Sequence, residues 1–247
     1  MKKLLLATAL AAFGTGAVTG AMAQDVVRIG TEGAYEPYNY IDQATGKLTG
    51  YEIELGTELC KRAGLTCEFV QNAWDSIIPN LQSGNYDIIM AGMSITDERK
   101  QMIDFTENYI PPASSAYVGL TADANIGDGA VIAAQTGTIQ AGYIAEQPGV
   151  TLLEYATPDE TVAAVKNGEA DAVFADKDYL APIAGDSGGA LVLLADEVQL
   201  GGGVGGGMRK SDTELRAKFD EAIKSMKADG TLNTMITKWF GPEAALF

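Results

Sequence analysis

The chain has 247 residues, two cysteines, no histidine and a formal net charge of −16. The lack of histidine excludes histidine-ligated zinc sites, Ser-His-Asp triads and Cys-His dyads. The excess of acidic residues opposes binding to nucleic acid or to anionic lipid.

Residues 1–23 have the pattern of a secretory signal peptide. A charged start, Met1-Lys2-Lys3, precedes a short apolar run and the small-residue triplet Ala21-Met22-Ala23. A membrane anchor is the alternative, but Gly14 and Gly16 interrupt the run, which falls short of the ~20 residues that span a bilayer. We therefore predict cleavage before Gln24 and a soluble, monomeric periplasmic protein.

A short strand at Val26–Gly30 and a helix at Tyr51–Ala63 open the mature chain. The helix has apolar residues at helical spacing, Gly64 ends it, and the next strand includes Glu68–Val70. Cys60 and Cys67 would then join the helix end to a strand start. In an exported chain this pair favours a disulfide over a metal site.

A weak internal repeat follows. Residues 75–93 and 160–176 each read as a short helix, a Gly-x-x-Asp turn and an apolar strand. Alternating helices and short apolar strands indicate α/β lobes with mostly parallel sheets flanked by helices. The repeated unit favours two such lobes, although an α/β chain can repeat this pattern by chance.

Two extended segments are candidate crossings between the lobes. One is Tyr109–Val118 with its proline pair, and the other lies near Val198–Leu200, before the glycine-rich 201–207. A tail helix with the capping sequence Ser211–Glu214 returns the chain to the first lobe. We predict a discontinuous lobe 1, residues 24–112 and 199–247, and a continuous lobe 2, residues 113–198.

Ligands in open α/β sheets bind beyond the carboxyl ends of the strands, which gives a list of candidate site residues. After the strands of lobe 1 come Glu32, Tyr35, Trp74, Gly92, Ser94 and Arg99, and after those of lobe 2 come Thr138 and Asp176.

Three of these residues suggest a ligand with both an anionic and a cationic group. Arg99 offers a planar fork for a carboxylate, and Thr138 precedes a helix start near Ile139 where backbone N–H groups accept an anion. Asp176 follows an apolar strand and suits an ammonium group. Together they describe an α-amino acid. Arg99 could instead be an ordinary surface residue, and Thr138 or Asp176 could simply cap a helix.

Several motifs in chain order resemble the periplasmic polar amino-acid-binding proteins of ATP-binding-cassette importers, solute-binding family 3. Among them are Arg28–Glu32, Gly50–Leu55, Trp74–Pro79, Ser94–Arg99 and Gln135–Thr138. The resemblance covers almost the whole mature chain and is nearest to the lysine/arginine/ornithine and histidine binders. It implies a two-lobed periplasmic binding protein of type II with two hinge crossings.

The resemblance also implies roles for the candidate residues. Arg99, Ser94 and Thr138 would hold the α-carboxylate, while Asp176 and the backbone near Gly92 would hold the α-ammonium. Tyr35 and Trp74 would line the side-chain slot, or else be ordinary core aromatics, and Glu32 would face the slot's far end. A Cys60–Cys67 disulfide is also implied. We expect a basic amino acid as ligand, a membrane permease as partner, no cofactor and no catalytic residue.

Alternatives remain open. Ala91-Gly92 stands where close basic binders have two serines, which would remove a hydroxyl and widen the pocket, and some similar relatives bind opines. A periplasmic dehydratase of the cyclohexadienyl type, with Glu32 or Asp176 as general acid or base, is a less favoured alternative. A sensor that reports ligand to a receptor is another.

Overall fold

The computed structural model describes residues 26–247, so the predicted signal peptide lies outside the described residues. Thirteen strands form two five-stranded sheets and one small three-stranded sheet. The strands are β1 Val27–Thr31, β2 Ala34–Tyr35, β3 Asn39–Ile41, β4 Leu48–Thr49, β5 Cys67–Gln71, β6 Ile88–Ile89, β7 Asp104–Ile110, β8 Ser114–Gly119, β9 Val131–Gln135, β10 Thr151–Tyr155, β11 Ala172–Asp176, β12 Val192–Gln199 and β13 Val204–Met208.

Helices flank the two larger sheets. They are α1 Tyr51–Ala63, α2 Ile77–Gln82, α3 Asp97–Met102, α4 Ile139–Ala145, α5 Pro158–Lys166, α6 Lys177–Asp186, α7 Thr213–Ala228 and α8 Thr231–Phe240, with a 3₁₀ turn at Trp74–Ser76. Among residues 26–247 no helix combines the length and apolar character needed to cross a membrane.

The two large sheets have the same topology. Their strand orders are β5-β1-β6-β13-β7 and β10-β9-β11-β8-β12. In each sheet four strands run in one direction and one strand, β13 or β8, is antiparallel to both neighbours. The reversed strand in each lobe is the one that follows a crossing between lobes. The prediction of two α/β lobes with mostly parallel sheets is therefore confirmed.

The internal repeat corresponds to equivalent parts of the two lobes. Residues 75–93 contribute α2 and β6, and residues 160–176 contribute α5 and β11. β6 and β11 each occupy the third position of their sheets. Helix α5 begins with a capping box between Thr157 and Glu160. The capping sequence at Ser211–Glu214 forms no such bond, because α7 begins at Thr213 with Asp212 at its N-cap and no side-chain cap.

Local chemistry fixes the ends of α1. Gly64 caps the helix with a left-handed backbone, φ 65°, which glycine adopts without a Cβ clash. Leu65 N donates to Cys60 O and so completes the turn. A disulfide joins Cys60 to Cys67 at the start of β5, as the sequence predicts.

The small sheet β2-β3-β4, which lies between β1 and α1 in the chain, was not predicted from the sequence. This sheet carries Tyr35 on β2 and Asn39 on β3. Tyr35 stacks on Tyr38 of its own lobe and on Tyr179 at the start of α6, with ring centroids 5.4 and 4.5 Å apart. The aromatic side chains of this segment therefore form part of the contact between the lobes.

Candidate functional site

A cavity lies between the lobes, beyond the carboxyl ends of β1, β6, β9 and β11. All eight candidate residues line it, although they come from five separate segments of the chain. The lining is Glu32, Tyr35, Trp74, Ala91, Gly92, Ser94, Arg99, Gln135, Thr138, Ile139, Gln140, Pro158, Thr161, Phe174, Ala175 and Asp176.

Arg99 and Thr138 mark one end of the cavity. Arg99 lies on α3, is 7% exposed, and donates from Nη1 to Ser94 O at 2.9 Å and from Nη2 to Gly137 O at 3.3 Å. Its guanidinium also lies 5.3 Å from the ring centroid of Trp74. Burial lowers the pKa of Arg99 to about 10, so the group remains a cation at neutral pH. Arg99 is therefore a buried cavity residue and not an ordinary surface residue.

Thr138 is the N-cap of α4. Its hydroxyl accepts the Ala141 N–H at 3.1 Å and donates to Gln135 O at 2.7 Å. The capping role that the sequence left open is present, and the same residue lines the cavity. Since the Gly137 carbonyl accepts from Arg99, this loop also joins the two lobes.

Asp176 lies at the end of β11 and is bonded on both carboxylate oxygens. Tyr35 OH donates to Oδ2 at 2.8 Å from the other lobe, and Gln140 Nε2 donates to Oδ1 at 2.8 Å. Desolvation raises the pKa of Asp176 to about 6, against the lowering effect of these hydrogen bonds. Asp176 occupies the N-cap position of α6 but forms no side-chain cap bond, so its carboxylate faces the cavity network instead.

Glu32 lies at another end of the cavity and is 6% exposed. Its Oε1 accepts from Gln135 Nε2 of the other lobe at 2.7 Å, and that nitrogen also donates to Ala156 O at 3.1 Å. Desolvation raises the pKa of Glu32 to about 7, with only partial lowering from the Gln135 hydrogen bond. A cation at this end would favour the ionised form.

A fully buried carboxylate, Glu52, supports the loop that carries Gly92. The Gly92 N–H donates to both carboxylate oxygens, at 2.8 and 2.9 Å. Asn39 Nδ2 donates at 2.7 Å, and Tyr109 OH, next to the first crossing, also donates. Gly92 has φ 63°, and a Cβ there would lie 3.2 Å from Tyr35 Cδ1. A side chain at this position would therefore meet the Tyr35 ring.

Several polar residues of this region were not predicted from the sequence, among them Gln135, Gln140 and Glu52. Gln135 ends β9 and Gln140 lies in the first turn of α4, so the strand-end rule that found Thr138 points to the same segment. Glu52 gave no such signal, because it lies within a helix and reaches the Gly92 loop only in the folded chain.

Two similar lobes that meet over a cavity with one cationic and two acidic side chains define a two-lobed solute-binding protein. The family "bacterial extracellular solute-binding proteins, family 3" matches residues 27–242. The chain belongs to this family.

Solved structures and characterised relatives agree with this assignment. A periplasmic His/Glu/Gln/Arg/opine family-binding protein from Silicibacter pomeroyi, in complex with lysine, is 67% identical, with a TM-score of 0.87 over 90% of this chain and 100% of that chain. The lysine/arginine/ornithine-binding periplasmic protein of Escherichia coli (strain K12) is 33% identical over 97% of each chain. An ancestral amino-acid-binding protein, a precursor of cyclohexadienyl dehydratase, is 32% identical, with a TM-score of 0.79 over 87% of this chain and 95% of that chain.

Proposed function

We propose that this protein captures a free basic L-amino acid in the periplasm and delivers it to the membrane permease of an ABC importer. The observation that carries the proposal is the charge pattern of the cavity. Its lining contains one cation, Arg99, and two acidic groups, Asp176 and Glu32. A basic amino acid has the complementary set, one carboxylate and two cationic groups.

The position of each charge supports an assignment of the ligand groups. Arg99, with Ser94 and Thr138 beside it, would receive the α-carboxylate, since an arginine fork binds carboxylates through paired hydrogen bonds. Asp176 and the backbone at Gly92 would receive the α-ammonium group. Trp74 and Tyr35 would flank the side chain, and Glu32 would face its cationic tip, where an aromatic face adds cation-π attraction.

The relatives support the ligand class and the partner. The lysine complex of the 67% identical protein and the lysine/arginine/ornithine-binding relative both favour a basic side chain. An opine, which bears its substituent on the α-nitrogen, is less favoured because Tyr35 fills the space beside Gly92 and both Asp176 oxygens are already hydrogen-bonded. The relatives are named as amino-acid-binding proteins, so we propose binding without chemical conversion, with the two lobes closing on the ligand for recognition by the permease.

Isothermal titration calorimetry with arginine, lysine, ornithine, histidine, glutamine and glutamate tests the ligand class. We expect the basic amino acids to bind most tightly, and preference for glutamate over every basic ligand would refute the assignment of Glu32. Arg99→Ala should weaken binding of the best ligand by about 2–5 kcal/mol, as when one partner of a buried charge pair is removed. Arg62→Ala, in an ion-pair network at the end of α1, is the matched control and should bind with unchanged affinity.

A further inference from the structure

A second space lies directly beyond the Glu32 end of the cavity. It shares Glu32 and Trp74 with the cavity as lining residues. We call it the outer pocket, and its lining is Glu32, Ala34, Gln71, Asn72, Ala73, Trp74, Asp75, Ala156 and Thr157. Gln71, Asp75 and Ala156 are exposed, so the outer pocket opens to solvent between the lobes.

Glu32 and Trp74 line both spaces and so separate them, and the Glu32 side chain is held in place by a hydrogen bond from the other lobe. Gln135 Nε2 reaches across the cleft to Glu32 Oε1 at 2.7 Å and to Ala156 O at 3.1 Å. A change of rotamer, with the loss of this buried hydrogen bond, would open the wall at Glu32 without moving the backbone.

The part of the cavity near Asp176, where the α-ammonium group of the ligand would bind, is closed by comparison. Both Asp176 oxygens are held by Tyr35 and Gln140, and the Tyr35 ring packs against Gly92. A substituent on the α-nitrogen would have to displace these groups. A substituent on the side-chain tip would instead enter the outer pocket.

The outer pocket is acidic. Its lining contains Glu32 and Asp75 and no cationic side chain, and Asp75 forms no ion pair within residues 26–247. It therefore favours substituents that leave the tip cationic. We propose that the protein binds basic amino acids alkylated at the side-chain tip, such as Nω-alkyl arginines and Nε-alkyl lysines, with the substituent in the outer pocket. This proposal rests on the proposed function, and deepens it.

Isomeric ligands of equal charge test the proposal by calorimetry. We expect Nω-methyl- and Nω-propyl-L-arginine to bind within about tenfold of L-arginine, since the extra carbons enter open space and cause no overpacking. Nα-methyl-L-arginine should bind more than about 30-fold more weakly than L-arginine, because it disturbs the partners of a buried charge. If the Nω-propyl compound loses as much affinity as Nα-methyl-L-arginine does, the outer pocket takes no substituent and the proposal is wrong. Nε-methyl- and Nα-methyl-L-lysine give the same comparison for lysine.

Two variants locate the substituent. Ala34→Leu narrows the outer pocket at a residue that does not line the inner cavity, and should weaken Nω-propyl-arginine by about tenfold or more while arginine binding stays constant. Gln135→Ala removes the residue that holds Glu32 from across the cleft, and should raise the affinity of Nω-propyl-arginine relative to arginine. Gln147→Ala, the same truncation elsewhere in lobe 2, should leave that ratio unchanged. An unchanged ratio in both Ala34→Leu and Gln135→Ala would overturn the proposal.

Failure of this inference is distinguishable from failure of the proposed function. If neither arginine nor lysine binds, the proposed ligand class is wrong. If they bind and the tip-substituted compounds do not, the ligand class stands and only the outer-pocket proposal is overturned.

Discussion

Acidification should weaken binding of a basic amino acid, because the ligand must expel protons from the cavity. Burial raises the pKa of Glu32 to about 7 and that of Asp176 to about 6. A carboxyl whose pKa is raised by folding stabilises the folded protein at low pH, and this contribution is lost as pH rises through the raised value. A cationic ligand reverses the preference, since it stabilises the ionised carboxylates.

The size of the effect follows from the fraction of Glu32 that is ionised. With a pKa of about 7, Glu32 is about 1% ionised at pH 5 and about 90% ionised at pH 8. If the ligand requires the carboxylate, affinity falls by up to about 90-fold, or about 2.7 kcal/mol, between pH 8 and pH 5. Asp176 adds a smaller decrease below pH 6.

Calorimetry from pH 5 to pH 8, in pairs of buffers with different ionisation enthalpies, measures both the affinity and the protons released. We expect proton release when lysine binds near pH 6, and a steeper pH dependence for lysine than for glutamine, which lacks the second cation. Glu32→Gln should bring the lysine profile close to that of glutamine. Lysine affinity that is constant over this range, with no proton release, would refute the assignment of Glu32 to the ligand tip.

Three further outcomes concern the scaffold. Removing the disulfide by Cys60→Ser with Cys67→Ser should lower the free energy of unfolding by about 2.5 kcal/mol, which is the chain-entropy value for this 8-residue loop. Urea denaturation of the oxidised protein and of the variant measures the difference, and a much smaller loss would contradict the chain-entropy argument. Glu52→Gln would turn an amide N–H group toward the hydrogen-bond donors that contact the Glu52 carboxylate, so the free energy of unfolding should fall by about 1–3 kcal/mol. Unchanged stability would mean that the network tolerates a neutral group. Gly203→Ala should lower the free energy of unfolding more than Gly129→Ala does. Both glycines have a positive φ, 88° and 77°, but only at Gly203 would a Cβ lie 2.4 Å from a backbone oxygen. Equal losses in the two variants would contradict this steric argument.

The elements of the fold were largely predictable because local signals are strong. Apolar spacing and Gly64 give the ends of α1, and the two repeated units give α2 with β6 and α5 with β11. The short sheet β2-β3-β4 was not predictable in this way, since strands of two or three residues carry little periodicity. Its location depends on contacts with α1 and with the other lobe.

The lining of the cavity was also predictable, because strand ends gather at one edge of a sheet. The hydrogen bonds within it were not. Glu52 reaches Gly92 across 40 residues, and Glu32 reaches Gln135 across 103. Such pairs depend on how the chain crosses between lobes, and a single sequence gives no signal for which glutamate meets which donor.

The equivalence of the two lobes explains why these pairs form. β1 and β9 hold the second position in their sheets, and β6 and β11 hold the third. Glu32 follows β1 and Gln135 ends β9, so the residues that meet across the cleft come from equivalent strand ends. Gly92 and Asp176 likewise follow or end the equivalent strands β6 and β11. Since each lobe presents the same edge to the cavity, the charged groups are divided between them: Glu32 and Arg99 come from lobe 1 and Asp176 comes from lobe 2. A ligand that contacts the charged groups of both lobes therefore favours the arrangement in which the lobes lie together.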